Sequence, residues 1–138
     1  MRTKSAVIVV AIVALLAGAP VALAHHSFAA EFDASKTFEF TGKVTKVEWM
    51  NPHTFFYIDV VDEETGKVTN WAMEMGSPNG LMRLGWTRNS MQIGDEVTVT
   101  GSMAKDGSPT GNARTVVMAK DGKRLFAGSS QPGQSGRE

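Results

Sequence analysis

The residues best suited to chemistry in this chain are its three histidines, His25, His26 and His53. His25 and His26 are adjacent, and His53 ends a Trp-Met-Asn-Pro-His segment. Imidazole is a ligand that copper, zinc and nickel accept in proteins. The chain contains no cysteine, which excludes disulfide bonds, thiolate metal sites and cysteine nucleophiles. A metal site would therefore have to use histidine, methionine, carboxylate or backbone ligands.

The chemical state of His25 depends on the residues before it, which have the pattern of a cleavable secretory signal peptide. Arg2 and Lys4 supply positive charge, residues 6–17 form an apolar run, and residues 22–24 (Ala-Leu-Ala) are a small-x-small cleavage site. The alternative is a membrane anchor, but the apolar run is shorter than the roughly 20 residues that a spanning helix needs. We expect cleavage after Ala24, a periplasmic or secreted protein, and no membrane span after processing.

Cleavage after Ala24 would make His25 the N-terminal residue and leave it with a free α-amine. The amine and imidazole of one residue can chelate copper or zinc together, as in the histidine brace of copper proteins, and His26 or His53 could supply a second imidazole. The likeness to the brace is chemical only, because those proteins have other folds. The alternative is that His25 and His26 are polar residues that keep the cleavage site accessible to the peptidase. Copper or zinc is thus a candidate cofactor.

Hydrophobic residues alternate along much of the chain after residue 36, which predicts β-strands. We divide the chain into a signal peptide at 1–24, a lead-in at 25–36, a β domain at 37–126 and a tail at 127–138. The tail is rich in Gly, Ser and Gln, so we expect it to be disordered. The predicted strands are 37–49, 54–61, 68–75, 96–101 and 113–119, with a brief further pairing at 124–126.

The order of these elements predicts the fold. Ser77 and Pro78 are an N-cap and a first-turn proline, so a short helix should follow the third strand. Three strands, a helix and two strands are the order of the OB-fold, and we predict an all-β protein, a small five-stranded OB-like Greek-key barrel with one short helix between strands 3 and 4. Another small barrel or a sandwich is the alternative. The alternation of apolar residues changes parity between Val44 and Val47, which predicts a bulge, and Gly42 is a natural position for a bend.

Several short motifs in the chain are found together in a known family. They are His25-His26-Ser27-Phe28, Gly42-Lys43-Val44 and Trp49-Met50-Asn51-Pro52-His53. Over residues 25–126 the chain resembles a family of small exported bacterial proteins, a domain of unknown function whose mature region begins with His-His-Ser-Phe. The resemblance implies export, but it brings no reaction, substrate or partner.

A second candidate site lies around the turn that carries His53. A turn after the first strand commonly borders the ligand face of an OB domain, and aromatic side chains there can stack on a ligand. Trp49, Asn51, Phe55 and Tyr57 are therefore the candidate ligand-binding residues. The alternative is that the aromatic rings belong to the core and that His53 caps the turn by bonding to the backbone.

The charge of the chain and the motifs that it lacks exclude several classes of function. Removal of Arg2 and Lys4 with the signal peptide leaves 12 basic and 14 acidic residues, a net charge near −2. The sequence has no clustered basic stretch of the kind that binds nucleic acid, so we expect no nucleic-acid partner. It also lacks the hydrolase, metalloprotease, P-loop and dinucleotide motifs. We expect a non-catalytic binding module. Either it binds a metal through its histidines, or it is an accessory domain that binds a protein or small ligand.

Overall fold

The computed structural model describes residues 27–128 of the chain. The signal peptide, its cleavage after Ala24, the metal candidates His25 and His26, and residues 129–138 of the tail lie outside the described residues. The chain divides into two units between Glu31 and Phe32. Of the first unit, the described residues hold only a short helix, α1 (Ser27–Glu31).

The second unit is mostly β-structure, so the all-β prediction is confirmed. Its strands form a sheet in the order β3-β2-β1-β4-β5-β6, with antiparallel neighbours throughout. A short helix, α2 (Pro78–Arg83), lies between β3 and β4. The strands are β1 (Phe32–Glu48), β2 (Phe55–Val61), β3 (Val68–Glu74), β4 (Glu96–Ala104), β5 (Thr110–Met118) and β6 (Arg124–Phe126).

The two ends of this sheet approach each other. Ala72 to Glu74 of β3 pair in parallel with Thr110 to Asn112 of β5, and this contact closes the sheet into a partial ring. The ring brings the inner faces of the strands together around one apolar cluster. Its largest fully buried side chains include Trp86, Phe56, Ile58, Met73, Met75 and Leu81.

The long strand β1 serves both halves of the sheet. Its residues from Phe32 to Lys43 pair with β4, and those from Lys43 to Glu48 pair with β2. The register shifts between Val44 and Lys46, where the change of parity in the sequence predicts a bulge. Gly42 lies against β2 so closely that a Cβ atom would collide with the carbonyl oxygen of Asp59.

Helix α2 begins as its sequence predicts. Ser77 is the N-cap, its Oγ accepts a hydrogen bond of 3.2 Å from the backbone N–H of Gly80, and Pro78 occupies the first turn. Leu81 points into the core and is fully buried. Within residues 27–128, no helix has the length and apolar character needed to cross a membrane.

The strand count and the start of β1 differ from the sequence prediction, and β4 and β5 run longer than predicted, ending at Ala104 and beginning at Thr110 respectively. The brief pairing expected at 124–126 is present and forms a sixth strand beside β5, so the sheet has six strands where a five-stranded barrel was predicted. Strand β1 also begins at Phe32 instead of Thr37. Phe32 and Asp33 pair with β4 ahead of an irregular stretch, and the regular register resumes at Thr37. The polar residues of that stretch interrupt the alternation of apolar and polar residues, so the sequence pattern did not predict a strand there.

Candidate functional site

His53 is positioned by backbone hydrogen bonds that join its turn to the end of β3. The N–H of Thr54 donates to the carbonyl of Gly76 at 3.0 Å, and the N–H of Met75 donates to the carbonyl of Thr54 at 2.8 Å. The turn itself contains a cis peptide bond between Asn51 and Pro52. These contacts place the ring of His53 beside the last residues of β3.

The Nδ1 atom of His53 has two acceptors within reach. It lies 3.1 Å from the carbonyl oxygen of Met75 and 3.2 Å from Oε1 of Glu74. A backbone carbonyl can only accept, so we assign the proton of the neutral ring to Nδ1. Nε2 then carries the lone pair, and no residue between 27 and 128 forms a hydrogen bond with it. One third of the His53 side chain is exposed, so the ring is accessible from solvent.

Two residues next to His53 and Glu74 each have a buried polar atom without a hydrogen-bond partner. Oγ1 of Thr54 and Nδ2 of Asn112 have no hydrogen-bond partner among the described residues. Thr54 directly follows His53, and Asn112 is paired with Glu74 in the β3–β5 ladder. Buried polar atoms without partners are uncommon in folded proteins and need an explanation. They support the choice of this corner of the sheet as the candidate site.

The described residues supply only part of a metal site. His53 and Glu74 are adjacent, but residues 27–128 contain no group of three His, Asp or Glu side chains that could hold an ion. His25 and His26 lie outside the described range. A metal centre at His53 would therefore need ligands beyond those described.

Phe55 and Tyr57 lie on the outer face of the sheet, in a row with charged side chains. Phe55 is paired with Glu48 of β1 on one side and with Glu74 of β3 on the other. The Tyr57 hydroxyl donates to Oε2 of Glu48 at 2.9 Å. Lys46 Nζ lies 2.5 Å from Oε1 of Glu48 and 5.2 Å from the centre of the Tyr57 ring.

This network shifts the ionisation of its members. The hydrogen bonds from Lys46 and Tyr57 lower the pKa of Glu48 below its usual value. The bond to the Glu48 carboxylate raises the pKa of Tyr57, because an ionised phenol could not donate it. Tyr57 thus stays a neutral donor beside a carboxylate.

The other two candidate residues lie elsewhere. Trp49 is partly buried and packs against the core cluster, whereas Phe55 and Tyr57 belong to the outer face. Asn51 is exposed in the turn before His53. The structure therefore brings together Phe55 and Tyr57 but turns the Trp49 ring toward the interior.

A family comparison covers all of these residues. A family model described as "Family of unknown function (DUF6152)" matches residues 12–114. The chain belongs to the DUF6152 family. Searches of the curated proteins and of the solved structures found no similar protein. The DUF6152 match includes every candidate residue named above, but the family's description assigns no ligand or reaction to them.

The sequence reasoning missed one residue of this candidate site, Glu74. Glu74 stands between Met73 and Met75, which are both buried. Because side chains alternate across a strand, a carboxylate at that position must belong to the opposite face. The period of the strand could therefore have placed Glu74 on the outer face, but its neighbour Phe55 depends on the register with β2, and its contact with His53 depends on how the turn folds.

Proposed function

We propose that the mature protein is an exported, non-catalytic binding module that binds one Cu(II) or Zn(II) ion. The proposed ligands are the α-amine and imidazole of His25, with a further imidazole from His26 or His53. The observation that carries the proposal is the hydrogen bonding of His53, whose Nδ1 donates to Met75 and faces Glu74 while Nε2 keeps its lone pair.

This arrangement is typical of histidines that bind metals. A metal-binding imidazole usually donates its other N–H to a carbonyl or carboxylate, which fixes the tautomer and makes the ligating nitrogen more basic. At His53 the carbonyl of Met75 and the carboxylate of Glu74 would both serve in this way. Glu74 is mostly buried, with its side chain 13% exposed, so it can orient the ring without extensive competition from water.

The proposal also includes an OB-like fold and export from the cytoplasm. We propose an OB-like topology, supported by the strand order, the parallel pairing of β3 with β5 and the position of α2 between β3 and β4. We also propose a periplasmic or secreted location, supported by the signal-peptide pattern of residues 1–24.

The test is a metal titration of the chain that begins at His25. Isothermal titration calorimetry with Cu(II) and with Zn(II) should give one site per chain. A chain with one extra residue, such as Met, ahead of His25 keeps all three imidazoles but loses the chelating amine. It should bind copper far more weakly.

Two variants separate the contributions of the histidines. His25→Ala should abolish the site, and His53→Gln should weaken it if His53 is the second imidazole. Asn51→Ala is the matched control, since it alters the same turn without removing an imidazole. Equal copper affinity for the extended and processed chains, or no affinity above that of His25→Ala, would refute the metal proposal.

The second candidate function is an accessory domain that binds a protein or small ligand without a metal. It is favoured by the outer row in which Phe55 lies between Glu48 and Glu74 with Tyr57 alongside, both rings being partly exposed. Its proposed contact residues are Asn51, Phe55 and Tyr57, with the part of Trp49 that stays exposed. This function would be supported if the processed chain binds no copper and if Phe55→Ala abolishes its binding of a protein or small ligand.

A further inference from the structure

A groove opens in the second unit at a place remote in the sheet from the turn of His53. Strand β1 pairs with β2 only from Lys43 onward, where Lys43 lies opposite Asp59. The earlier part of β1 therefore runs beside the far end of the β2–β3 hairpin without strand pairing between them. The groove there has a volume of about 640 Å³, within the roughly 300–1,000 Å³ typical of ligand sites.

The floor of the groove is aromatic. Phe40 of β1 and Trp71 of β3 both line it, with ring centres 4.6 Å apart and planes inclined by 42°. Phe38 stacks on Phe40 from the core side, with centres 4.8 Å apart. Phe40 and Trp71 are only partly buried, so part of each ring is exposed in the groove. Exposed aromatic rings attract cations.

The rim of the groove is acidic. Four carboxylates line it, and among the described residues none of the lining side chains is Lys or Arg. Asp62 accepts hydrogen bonds from the N–H groups of Thr65 at 2.8 Å and Glu64 at 3.0 Å. The bonds from Thr65 above all hold the pKa of Asp62 below its usual range, so it stays ionised. The four residues are Glu39, Asp62, Glu63 and Glu64.

One strand edge beside the groove is open. From Thr37 to Thr41, β1 pairs with β4 on one side, and on the side toward the hairpin it has no strand partner among residues 27–128. An unpaired strand edge can accept an extended peptide as an additional strand. A small cation would use the rings and carboxylates but not this backbone edge.

We propose that the groove binds an extended basic segment of a partner protein. The segment adds to the open edge of β1 and places a Lys or Arg side chain over Phe40 and Trp71, between the carboxylates of the rim. Charge complementarity selects the partner: an aromatic floor inside an acidic rim favours a cationic side chain over an anionic or neutral one. The inference is independent of the metal proposal, since it involves none of the three histidines.

The test begins with a phage-displayed library of random heptapeptides, selected on the processed full chain. The selected peptides should be enriched in Lys and Arg at alternating positions. A labelled synthetic peptide of the consensus sequence is then titrated by fluorescence anisotropy. Its affinity should fall as NaCl is raised, because exposed charge pairs are screened by salt.

Matched variants locate the binding site. Glu63→Gln with Glu64→Gln should weaken binding about 2- to 20-fold, since each exposed charge pair contributes modestly. The control, Glu96→Gln with Asp121→Asn, also removes two negative charges, but from residues that do not line the groove. It should change the affinity less than about twofold, because salt screens the effect of distant charges. Trp71→Phe keeps a ring on the floor and should bind better than Trp71→Ala. Thermal melting of each variant checks that it is folded.

Three results would overturn the proposal. One is a selected consensus without enrichment in basic residues. Another is equal peptide affinity for the groove double variant and its control. The third is binding of spermidine or tetramethylammonium that depends on Trp71 when no peptide is selected, which would make the ligand a small organic cation.

Discussion

His53 and Glu74 meet at the end of β3, with Nδ1 of His53 3.2 Å from Oε1 of Glu74. If His53 binds a metal through Nε2, this carboxylate orients its ring. Glu74→Gln removes the charge but keeps the shape, so it should weaken copper binding by about tenfold, the lower end of the effect of losing such a partner. Calorimetry of the processed chain measures the change.

Glu48→Gln is the control for this experiment. Glu48 lies across Phe55 from Glu74 on the same outer face, and it contacts Lys46 and Tyr57. Copper affinity should not change in this variant. An equal loss in both variants would mean that general surface charge, and not orientation of His53, governs binding.

Processing is a prediction from the signal-peptide pattern of residues 1–24. Protein recovered from a bacterial periplasm should have the intact mass of a chain beginning at His25, because Ala22 and Ala24 supply the small side chains that a signal peptidase requires. An Ala24→Leu variant should remain uncut. Recovery of a wild-type chain that still carries Arg2 would contradict both the export prediction and the N-terminal metal site.

Gly42 should tolerate no side chain. A Cβ there would collide with the backbone of Asp59, so Gly42→Ala should lower the free energy of unfolding by about 1–3 kcal/mol, as overpacking does. Urea denaturation measures this loss. Gly80→Ala is the matched control because the new Cβ would meet only Oγ of Ser77, at 3.2 Å. The helical preference for Ala over Gly, up to about 1 kcal/mol, offsets the small shift that the Ser77 hydroxyl must make, so the loss of stability should be smaller than in Gly42→Ala.

Asp95 makes stability depend on pH. The ammonium of Lys120 at 2.8 Å and the N–H of Gln92 at 2.9 Å hold the pKa of Asp95 below its usual value. A carboxyl with a lowered folded-state pKa stabilises the fold above its unfolded-state pKa, and this stability is lost as pH falls through the lowered value. Asp95→Asn should therefore cost about 1 kcal/mol or less at pH 7, in the range of partly exposed ion pairs.

The cost of Asp95→Asn should shrink as pH falls below the ordinary Asp pKa. Urea denaturation at pH 7 and at successively lower pH values measures it. Lys120→Met removes the same pair from the other side and should reproduce the trend. A difference between wild type and Asp95→Asn that stays constant with pH would show that the ion pair does not contribute.

Local features of the sequence determined much of the secondary structure. Alternation with period two predicted an all-β domain, and the change of parity after Val44 predicted the bulge that the register shows before Lys46. Ser77 and Pro78 predicted the start of α2, since an N-cap acts within one turn. The absence of cysteine limited any metal site to histidine, methionine, carboxylate and backbone ligands. These inferences needed only composition and neighbours in the chain.

Tertiary structure determined the strand pairings and side-chain contacts between residues that are distant in sequence. The parallel pairing of Ala72 to Glu74 with β5 and the start of β1 at Phe32 both depend on which strand edges meet, and alternation within one strand carries no such information. The contact of Glu74 with His53 and the approach of Phe40 to Trp71 have the same origin. Each joins separate strands or turns, so only the folded sheet brings the side chains together.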